Sequence, residues 1–266
     1  NSTRRSAVRA ARAGGRRAVR GGREHSAAMP ATFKTEAVVL RSIRYGEADR
    51  ILHLYTVDHG RVGAIAKGVR RARSRMGGRL EPLARVRLVL RRGRGDLCTV
   101  TSVDTVSAHP GLWERRASLE RASQACESVL RLLDSSDPNP AAYHLLCNQL
   151  ALLDRAPDAA TRAQSLAFRL KLLLAAGFAP ELASCAACGE AEHLAGFSPA
   201  AGGTVCPACE AGAFPLGGEA HGFLVAALGR PLAQAPTASD VALGQADRAI
   251  AETLEHHAHV RLRRVA

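Results

Sequence analysis

Two pairs of cysteines constrain the fold of this chain more than any other feature, because all four must meet at one point if they bind a metal. In CAACGEAEHLAGFSPAAGGTVCPAC, two residues separate Cys185 from Cys188, seventeen residues follow, and Cys206 and Cys209 repeat the first spacing. Each C-x-x-C turn presents two thiolates, and a hairpin between the turns would bring the pairs together around a tetrahedral zinc ion. The spacing therefore predicts a structural zinc module over residues 183–212.

Other uses of these cysteines agree less well with the sequence. Disulfides are typical of secreted chains, and the sequence has no continuous apolar region of a secretory signal. A redox motif would need only one C-x-x-C. Four thiolates would also fill the coordination sphere of the zinc, and the H-x-E and P-C-x-x-C pattern of zinc deaminases is absent. We expect one structural zinc ion and no zinc catalysis.

Positive charge is concentrated in the first part of the chain. The 266 residues carry a formal net charge of +13. Residues 1–28 contain eight arginines and one acid, and residues 29–110 contain sixteen Lys and Arg against seven Asp and Glu, whereas residues 111–266 are mildly acidic. This asymmetry is typical of one nucleic-acid-binding module joined to other domains. We expect residues 1–28 to be a disordered arm, because they hold almost no large apolar side chains, and the folded protein to begin near Met29.

Membrane and catalytic signatures are missing from the sequence. No segment approaches the roughly 20 consecutive apolar residues that span a bilayer, so we expect no membrane partner. There is no P-loop, no G-x-G-x-x-G after a strand, no G-x-S-x-G elbow and no H-E-x-x-H. The sequence therefore predicts no catalytic residues and favours a protein that is not an enzyme.

Five short segments predict a small β domain over residues 29–108. They are rich in Val, Ile, Leu and Thr, and turn sequences such as DHG, RMGG and RGRGD separate them. Five short strands in about seventy residues suggest a closed or partly open barrel of the OB type. The predicted strands cover residues 35–42, 50–57, 61–68, 84–92 and 96–106.

The connection between the third and fourth strands is unusually basic. In AKGVRRARSRMGGRLEP, residues 66–82, six basic side chains precede the first acid, Glu81, and Gly77 and Gly78 exclude a long continuous helix. Arginines on such a loop would follow a phosphate backbone with little sequence specificity, although a solvated turn of positive charge is the alternative. Core packing explains each aromatic residue of the domain, Phe33, Tyr45 and Tyr55, at least as well as base stacking.

A helical period begins near residue 109. Apolar residues recur there at intervals of three and four, and DSSDPNP ends the first helix. Two more helices are predicted over 141–154 and 161–176, which gives a helical domain over 109–182 and closing helices within 213–266. Helical core packing is also the predicted role of Trp113, Cys126 and Cys147. The predicted fold class is α+β multidomain: an N-terminal OB-fold β-barrel, an α-helical domain and an inserted zinc module with four cysteine ligands.

Several segments, taken in order, resemble the RecO family of recombination mediators. They are EAVVLRSIRYGEADRILHLYTVDHGRVGAIAKGVRRARSR, LLAAGFAPELASCAACG, FSPAAGGTVCPAC and LEHHAHVRLRR. The resemblance implies a cytoplasmic, nucleoid-associated protein that binds single- and double-stranded DNA and anneals complementary strands. It also implies contacts with RecR and with single-strand DNA-binding protein, and an indirect role in loading RecA. The Arg-rich leader departs from the family pattern.

The resemblance also indicates which side chains contact DNA. The positions that match the family are Lys67, Arg70, Arg71, Arg73 and Arg75. The charge pattern adds Arg79. Alternation along the fourth strand predicts an apolar inner face and a basic outer face, which adds Arg85 and Arg87. Two other classes of function share some of these features: a zinc-ribbon nucleic-acid-binding protein of transcription or translation, and a zinc-dependent hydrolase or deaminase. Strand annealing would distinguish the mediator from the first, and metal-dependent turnover would reveal the second.

Overall fold

A closed five-stranded barrel forms the first third of the fold. The computed structural model describes residues 31–265, so the predicted leader lies outside the described residues. The strands follow the order β1-β2-β3-β5-β4 around the barrel, with β3 and β5 parallel and every other pair antiparallel. Their bounds are β1 Thr32–Tyr45, β2 Asp49–Thr56, β3 Gly60–Ala66, β4 Arg85–Arg91 and β5 Cys98–Ser107. This arrangement confirms the predicted OB-type barrel.

Alternation of apolar side chains explains why these segments form strands. Val86, Leu88 and Leu90 of β4 are fully buried inside the barrel, while the three arginines of the strand, Arg85, Arg87 and Arg91, face outward. Leu52 and Leu54 of β2 contribute to the same core in the same period of two. The connection from β3 to β4 contains only a single 3₁₀ turn, Gly77–Arg79, as its two glycines predict.

Helices follow the barrel and enclose the larger of the two main cores. Their bounds are α1 Gly111–Glu114, α2 Arg116–Leu132, α3 Pro140–Arg155, α4 Arg162–Ala175, α5 Gly218–Gly229 and α6 Asp240–Ala258. Side-chain caps fix several starts: Asn139 accepts a hydrogen bond from the N–H of Ala142 at 3.0 Å, and Thr161 accepts one from Gln164 at 3.1 Å. The apolar period of the sequence thus predicted α2, α3 and α4 correctly.

A small three-stranded sheet carries the cysteine pairs. Its strands, β6 Gly196–Ser198, β7 Gly203–Val205 and β8 Phe214–Pro215, pair in the order β7-β6-β8. The hairpin between β6 and β7 is the connection predicted between the two C-x-x-C turns. The rings of Phe197 and Phe214 have centroids 5.5 Å apart and belong to the helical core, so the sheet is anchored on the helices.

The barrel and the helical domain share one strand. In β1, Ala37 and Val39 belong to the barrel core, whereas Val38 and Leu40 belong to the helical core. A second contact is so close that only glycine fits: a Cβ at Gly60 would lie 2.3 Å from the carbonyl oxygen of Asp137, and the φ of Gly60 is +54°. The two domains therefore pack directly against each other.

Among residues 31–265, no helix combines the length and the apolarity needed to cross a membrane.

Candidate nucleic-acid interface and metal centre

The basic run forms an ordered loop against the turn between β1 and β2. The N–H of Gly68 donates a hydrogen bond of 2.7 Å to Oδ1 of Asp49, and the N–H of Arg70 donates one of 2.8 Å to the carbonyl oxygen of Ala48. Buried Val69, between them, packs into the barrel core. These contacts fix the start of the loop and leave its charged side chains directed away from the core.

Five basic side chains of this loop are exposed and carry no ion pair within the described part of the chain. They are Lys67, Arg70, Arg71, Arg73 and Arg75. The guanidinium of Arg70 donates to the carbonyl oxygen of Glu47 at 3.2 Å, an interaction that leaves its charge uncompensated. We call these five residues the basic loop. Five cations in one short segment, without acidic partners among residues 31–265, create a positive surface suited to phosphate groups.

The other three arginines predicted to contact DNA are engaged within the protein. Arg79 donates to the carbonyl oxygen of Val103 at 2.9 Å and lies 3.8 Å from Asp104. Arg85 and Arg87 each donate to the carboxylate of Glu36 at 2.7 Å. The positive charge expected on the outer face of β4 is therefore partly neutralised, and the basic loop holds most of the uncompensated charge among the eight positions.

Glu36 explains the position of Arg85. Burial would raise the pKa of the Glu36 carboxyl, but the hydrogen bonds from Arg87 and Arg85 outweigh burial and lower its pKa. The guanidinium of Arg85 also lies 6.0 Å from the ring centre of Tyr143 in α3. Arg85 thus sits at the junction of the barrel and the helices, where access to DNA is restricted.

The four predicted zinc ligands meet in one cluster. All four sulphur atoms lie within 4.8 Å of one another, and those of Cys188 and Cys206 are 3.7 Å apart. A tetrahedral zinc site with Zn–S bonds of about 2.3 Å would place its sulphurs about 3.8 Å apart. The residues therefore fit one metal ion with four thiolate ligands, which agrees with the sequence prediction.

Backbone N–H groups stabilise the charged form of one thiol. Hydrogen bonds to Cys185, led by that from the N–H of Cys206, lower the pKa of Cys185 to about 6 against the opposing effect of burial. The thiolate is the form that binds metals. Gly189 follows the first pair with a φ of +80°, a left-handed conformation that glycine adopts without strain, so the chain can turn directly after Cys188.

The aromatic residues considered in the sequence differ in their exposure to solvent. Phe33 and Tyr55 are buried, whereas Tyr45 is 54% exposed at the end of β1. The prediction that Trp113 packs in the helical core is wrong, because its side chain is 53% exposed. Leu112 takes the buried position of the single-turn helix α1, which leaves its neighbour facing outward.

Comparison with known proteins finds models of one protein family that match both the barrel and the helical part of the chain. A family model described as Recombination protein O N terminal matches residues 29–109, and one described as Recombination protein O C terminal matches residues 119–265. The first match covers the barrel, and the second covers most of α2, all of α3 to α6 and the cysteine cluster.

Individual relatives agree with these matches. A DNA repair protein RecO from Rubrobacter xylanophilus is 40% identical over 211 residues, which is 77% of this chain and 84% of the relative. One from an Anaeromyxobacter species is 34% identical over 244 residues, 88% of this chain and 94% of the relative. One from Bifidobacterium animalis is 42% identical over 179 residues, 66% of this chain and 74% of the relative.

Proposed function

Since this chain belongs to the RecO family and so has a role in recombinational DNA repair, we propose that it is a non-enzymatic mediator that binds single- and double-stranded DNA and anneals complementary strands. The observation that carries this proposal is the basic loop: five exposed cations, held in place by backbone hydrogen bonds and free of acidic partners within residues 31–265.

Annealing follows from phosphate neutralisation. Two complementary strands repel each other, and a cationic surface that binds both reduces the repulsion and raises their local concentration. Base pairing then supplies the sequence specificity, so the protein needs to recognise only the backbone. No covalent step is required, and the cysteine cluster offers four sulphur ligands, enough to complete a tetrahedral zinc site without a water.

The zinc ion has a structural role in this proposal. Cys185, Cys188, Cys206 and Cys209 would hold it, and the ion would fix the small sheet against the helices. We further propose that RecR and single-strand DNA-binding protein are partners, that the chain helps RecR load RecA, and that it acts in the cytoplasm on the nucleoid. Family membership supports these partners and this location.

The first experiment measures annealing of complementary oligonucleotides, with and without ATP and across a salt series. The test variant changes Arg70, Arg71, Arg73 and Arg75 to Ala. The matched control removes the same charge from exposed positions of the helical half: Arg115, Arg116, Arg155 and Arg230 to Ala. We expect annealing without ATP that weakens with salt, and a defect in the loop variant only. Its salt slope should be smaller by roughly 0.7 for each phosphate of the single strand that the protein no longer neutralises.

Normal annealing by the folded loop variant would contradict this assignment and direct the search to another face. A separate assay tests the mediator role: RecA filament formation on DNA coated with single-strand-binding protein, with RecR present. The full chain should accelerate filament formation, and the loop variant should do so less. Equal rates with and without the chain would refute the loading role while leaving annealing to stand on its own result.

A further inference from the structure

The cysteines of the chain differ in their access to solvent. All seven lie within residues 31–265, and Cys188 is the exposed one, while Cys209 is half-buried. The other five are buried: Cys98, Cys126, Cys147, Cys185 and Cys206. An oxidant in solution must reach a sulphur atom before it can react, so exposure selects Cys188 from the cluster and protects the cysteines of the two main cores.

A second thiol lies close to Cys188. The Sγ atom of Cys206, a residue 5% exposed, is 3.7 Å from that of Cys188. The two sulphurs must move closer by about 1.7 Å to reach the S–S distance of a disulfide, about 2.05 Å. An accessible cysteine beside a second one can form a disulfide before its sulfenic acid is oxidised further. Cys188 and Cys206 therefore have the arrangement of an oxidisable pair that joins the two C-x-x-C turns.

The charge around the cluster favours an uncharged oxidant. A zinc ion held by four thiolates is net negative. Glu190 and Glu192 follow the first cysteine pair, Glu210 follows the second, and all three are exposed. This negative charge repels anionic oxidants such as oxidised glutathione and has little effect on hydrogen peroxide, which is small and neutral.

We propose that Cys188 is a site of reversible oxidation by hydrogen peroxide and that this oxidation releases the zinc ion. The inference rests on the structural zinc of the proposed function. A thiol that coordinates zinc is deprotonated, and the thiolate is the nucleophile. The Cys188 sulphur attacks one peroxide oxygen, so that an S–O bond forms, the O–O bond breaks and hydroxide leaves. The thiolate of Cys206 then attacks the sulfenic sulphur, the S–S bond forms, and the second oxygen leaves as hydroxide.

The disulfide leaves too few ligands for the metal. Two thiolates have lost two electrons to the peroxide, whose two oxygens end as water after protonation. Only Cys185 and Cys209 remain as thiolates, and two ligands do not complete a tetrahedral site. Because the core of the module contains only Cys185, Val205 and Cys206, loss of the metal should loosen the small sheet, while the separate core of the barrel is kept. A dithiol reductant reverses the step by thiol–disulfide exchange.

The test exposes the full, zinc-loaded chain to about a tenfold excess of hydrogen peroxide without thiol reductant. A chromogenic chelator follows zinc release, and mass spectrometry of alkylated chymotryptic peptides maps the disulfides. We expect release of one zinc per chain, a cross-link between Cys188 and Cys206, and reduced cysteines in the two main cores. Oxidised glutathione at the same concentration should release zinc at least about tenfold more slowly. Dithiothreitol and added zinc should restore the bound metal.

Histidine substitutions identify the thiol that reacts first. Cys188→His keeps four ligands, since histidine also binds zinc, but it cannot form a sulfenic acid. Its zinc release should be at least about fivefold slower than that of the wild type. Cys209→His is the matched comparison, because it has the same set of ligands and keeps both reacting thiols. Its release should stay within about twofold of the wild type.

Two results would overturn the inference. One is equally fast zinc release from Cys188→His and the wild type, and the other is a wild-type chain that keeps its zinc and forms no cross-link in peroxide. A purified wild-type chain without zinc would instead refute the structural zinc of the proposed function. The cross-link between Cys188 and Cys206 would then decide by itself whether Cys188 is the site of oxidation.

Discussion

At the scale of single residues, Glu36 organises the charges on the surface of β4. Its carboxylate accepts from Arg85 and Arg87, both at 2.7 Å, and its side chain is 22% exposed. The alternation of β4 predicted correctly that both arginines leave the barrel core. It did not reveal their partner, because Glu36 and Arg87 come together only through the register between β1 and β4. The side of a strand on which a residue lies follows from the sequence, whereas the register between two strands depends on the complete sheet.

Replacing Glu36 should therefore weaken the fold. In Glu36→Gln two arginines lose a charged acceptor, one of them half-buried beside Tyr143. We expect a loss of about 1–3 kcal/mol in the free energy of unfolding, measured by urea titration. Glu120→Gln is the control, because its pair with Arg116 is largely exposed and such pairs contribute little. Equal losses in the two variants would show that the Glu36 pairs contribute no more to the free energy of unfolding than an exposed ion pair does.

A second residue-scale prediction concerns pH. His109 is 3% exposed, and its Nδ1 lies 2.9 Å from the carbonyl oxygen of Leu83. Burial lowers the pKa of His109 and outweighs the opposing effect of that hydrogen bond. The unfolded chain thus binds a proton more readily than the folded one, so stability should fall as pH drops below the ordinary histidine pKa of about 6.5. The slope for this one group is at most about 1.4 kcal/mol per pH unit.

The pH prediction is tested with His109→Asn, since asparagine tolerates the positive φ of 48° found there. Urea titrations at pH 7.5 and 5.5 should show a smaller loss of stability in this variant than in the wild type. His193→Asn is a close control, because His193 also has a positive φ, 53°, but its side chain is 87% exposed. A wild-type pH dependence in His109→Asn would assign the effect to another group.

At the scale of elements, sequence periodicity predicted the strands and helices α2, α3 and α4, and cysteine spacing predicted the cysteine cluster. The outer side of a strand was harder to interpret. The alternation of side chains along a strand shows that Arg85 and Tyr45 point away from the barrel core. In the structure, however, Arg85 packs beside Tyr143 of α3, whereas Tyr45 is exposed among residues 31–265. What packs on an outer face depends on residues far away in the sequence, which is why the exposure of Tyr45 could not be predicted.

The predicted zinc module supports the clearest prediction at this scale. Its own core contains only Cys185, Val205 and Cys206, with a few partly buried neighbours. The apparent binding energy of structural zinc in peptides is about 10–16 kcal/mol, and so small a core cannot substitute for it. Changing Cys188 and Cys209 to Ser should abolish one bound zinc per chain, measured by elemental analysis, and lower the melting temperature.

Proteolysis locates the effect of that change. In the double serine variant, new tryptic or chymotryptic cuts should fall within residues 183–215, and the barrel should stay intact and keep its affinity for single-stranded DNA. Cys98→Ser serves as the control, because Cys98 is buried in the barrel and lies outside the cluster. A full complement of zinc in the double variant would mean that the metal, if any, lies elsewhere.

At the scale of the whole molecule, composition indicated the division into a basic part and a mildly acidic part. It did not indicate that the two parts share a core. Val38, Leu40, Tyr55 and Leu83, all of the barrel region, belong to the helical core. This sharing predicts that the barrel and the helices unfold together rather than in separate steps.

Hydrogen exchange can test this cooperativity. Leu40→Ala, at the shared boundary, should cost about 2–5 kcal/mol and lower the protection of β2 and α3 amides by the same amount. Leu88→Ala, inside the barrel, should also lower both. Val241→Ala, at a 74% exposed site, should change neither. A loss confined to the barrel in Leu88→Ala would show that the two parts open independently.

Strand β1, which contributes side chains to both cores, also fixes the orientation of the barrel relative to the helices. Because β1 serves both cores and Gly60 closes against the loop after α2, the barrel has no hinge toward the helices at this contact. A strand of DNA lying on the barrel would then have a fixed direction relative to every helical surface. A second protein that docks on the helices would therefore meet that DNA at a constant angle.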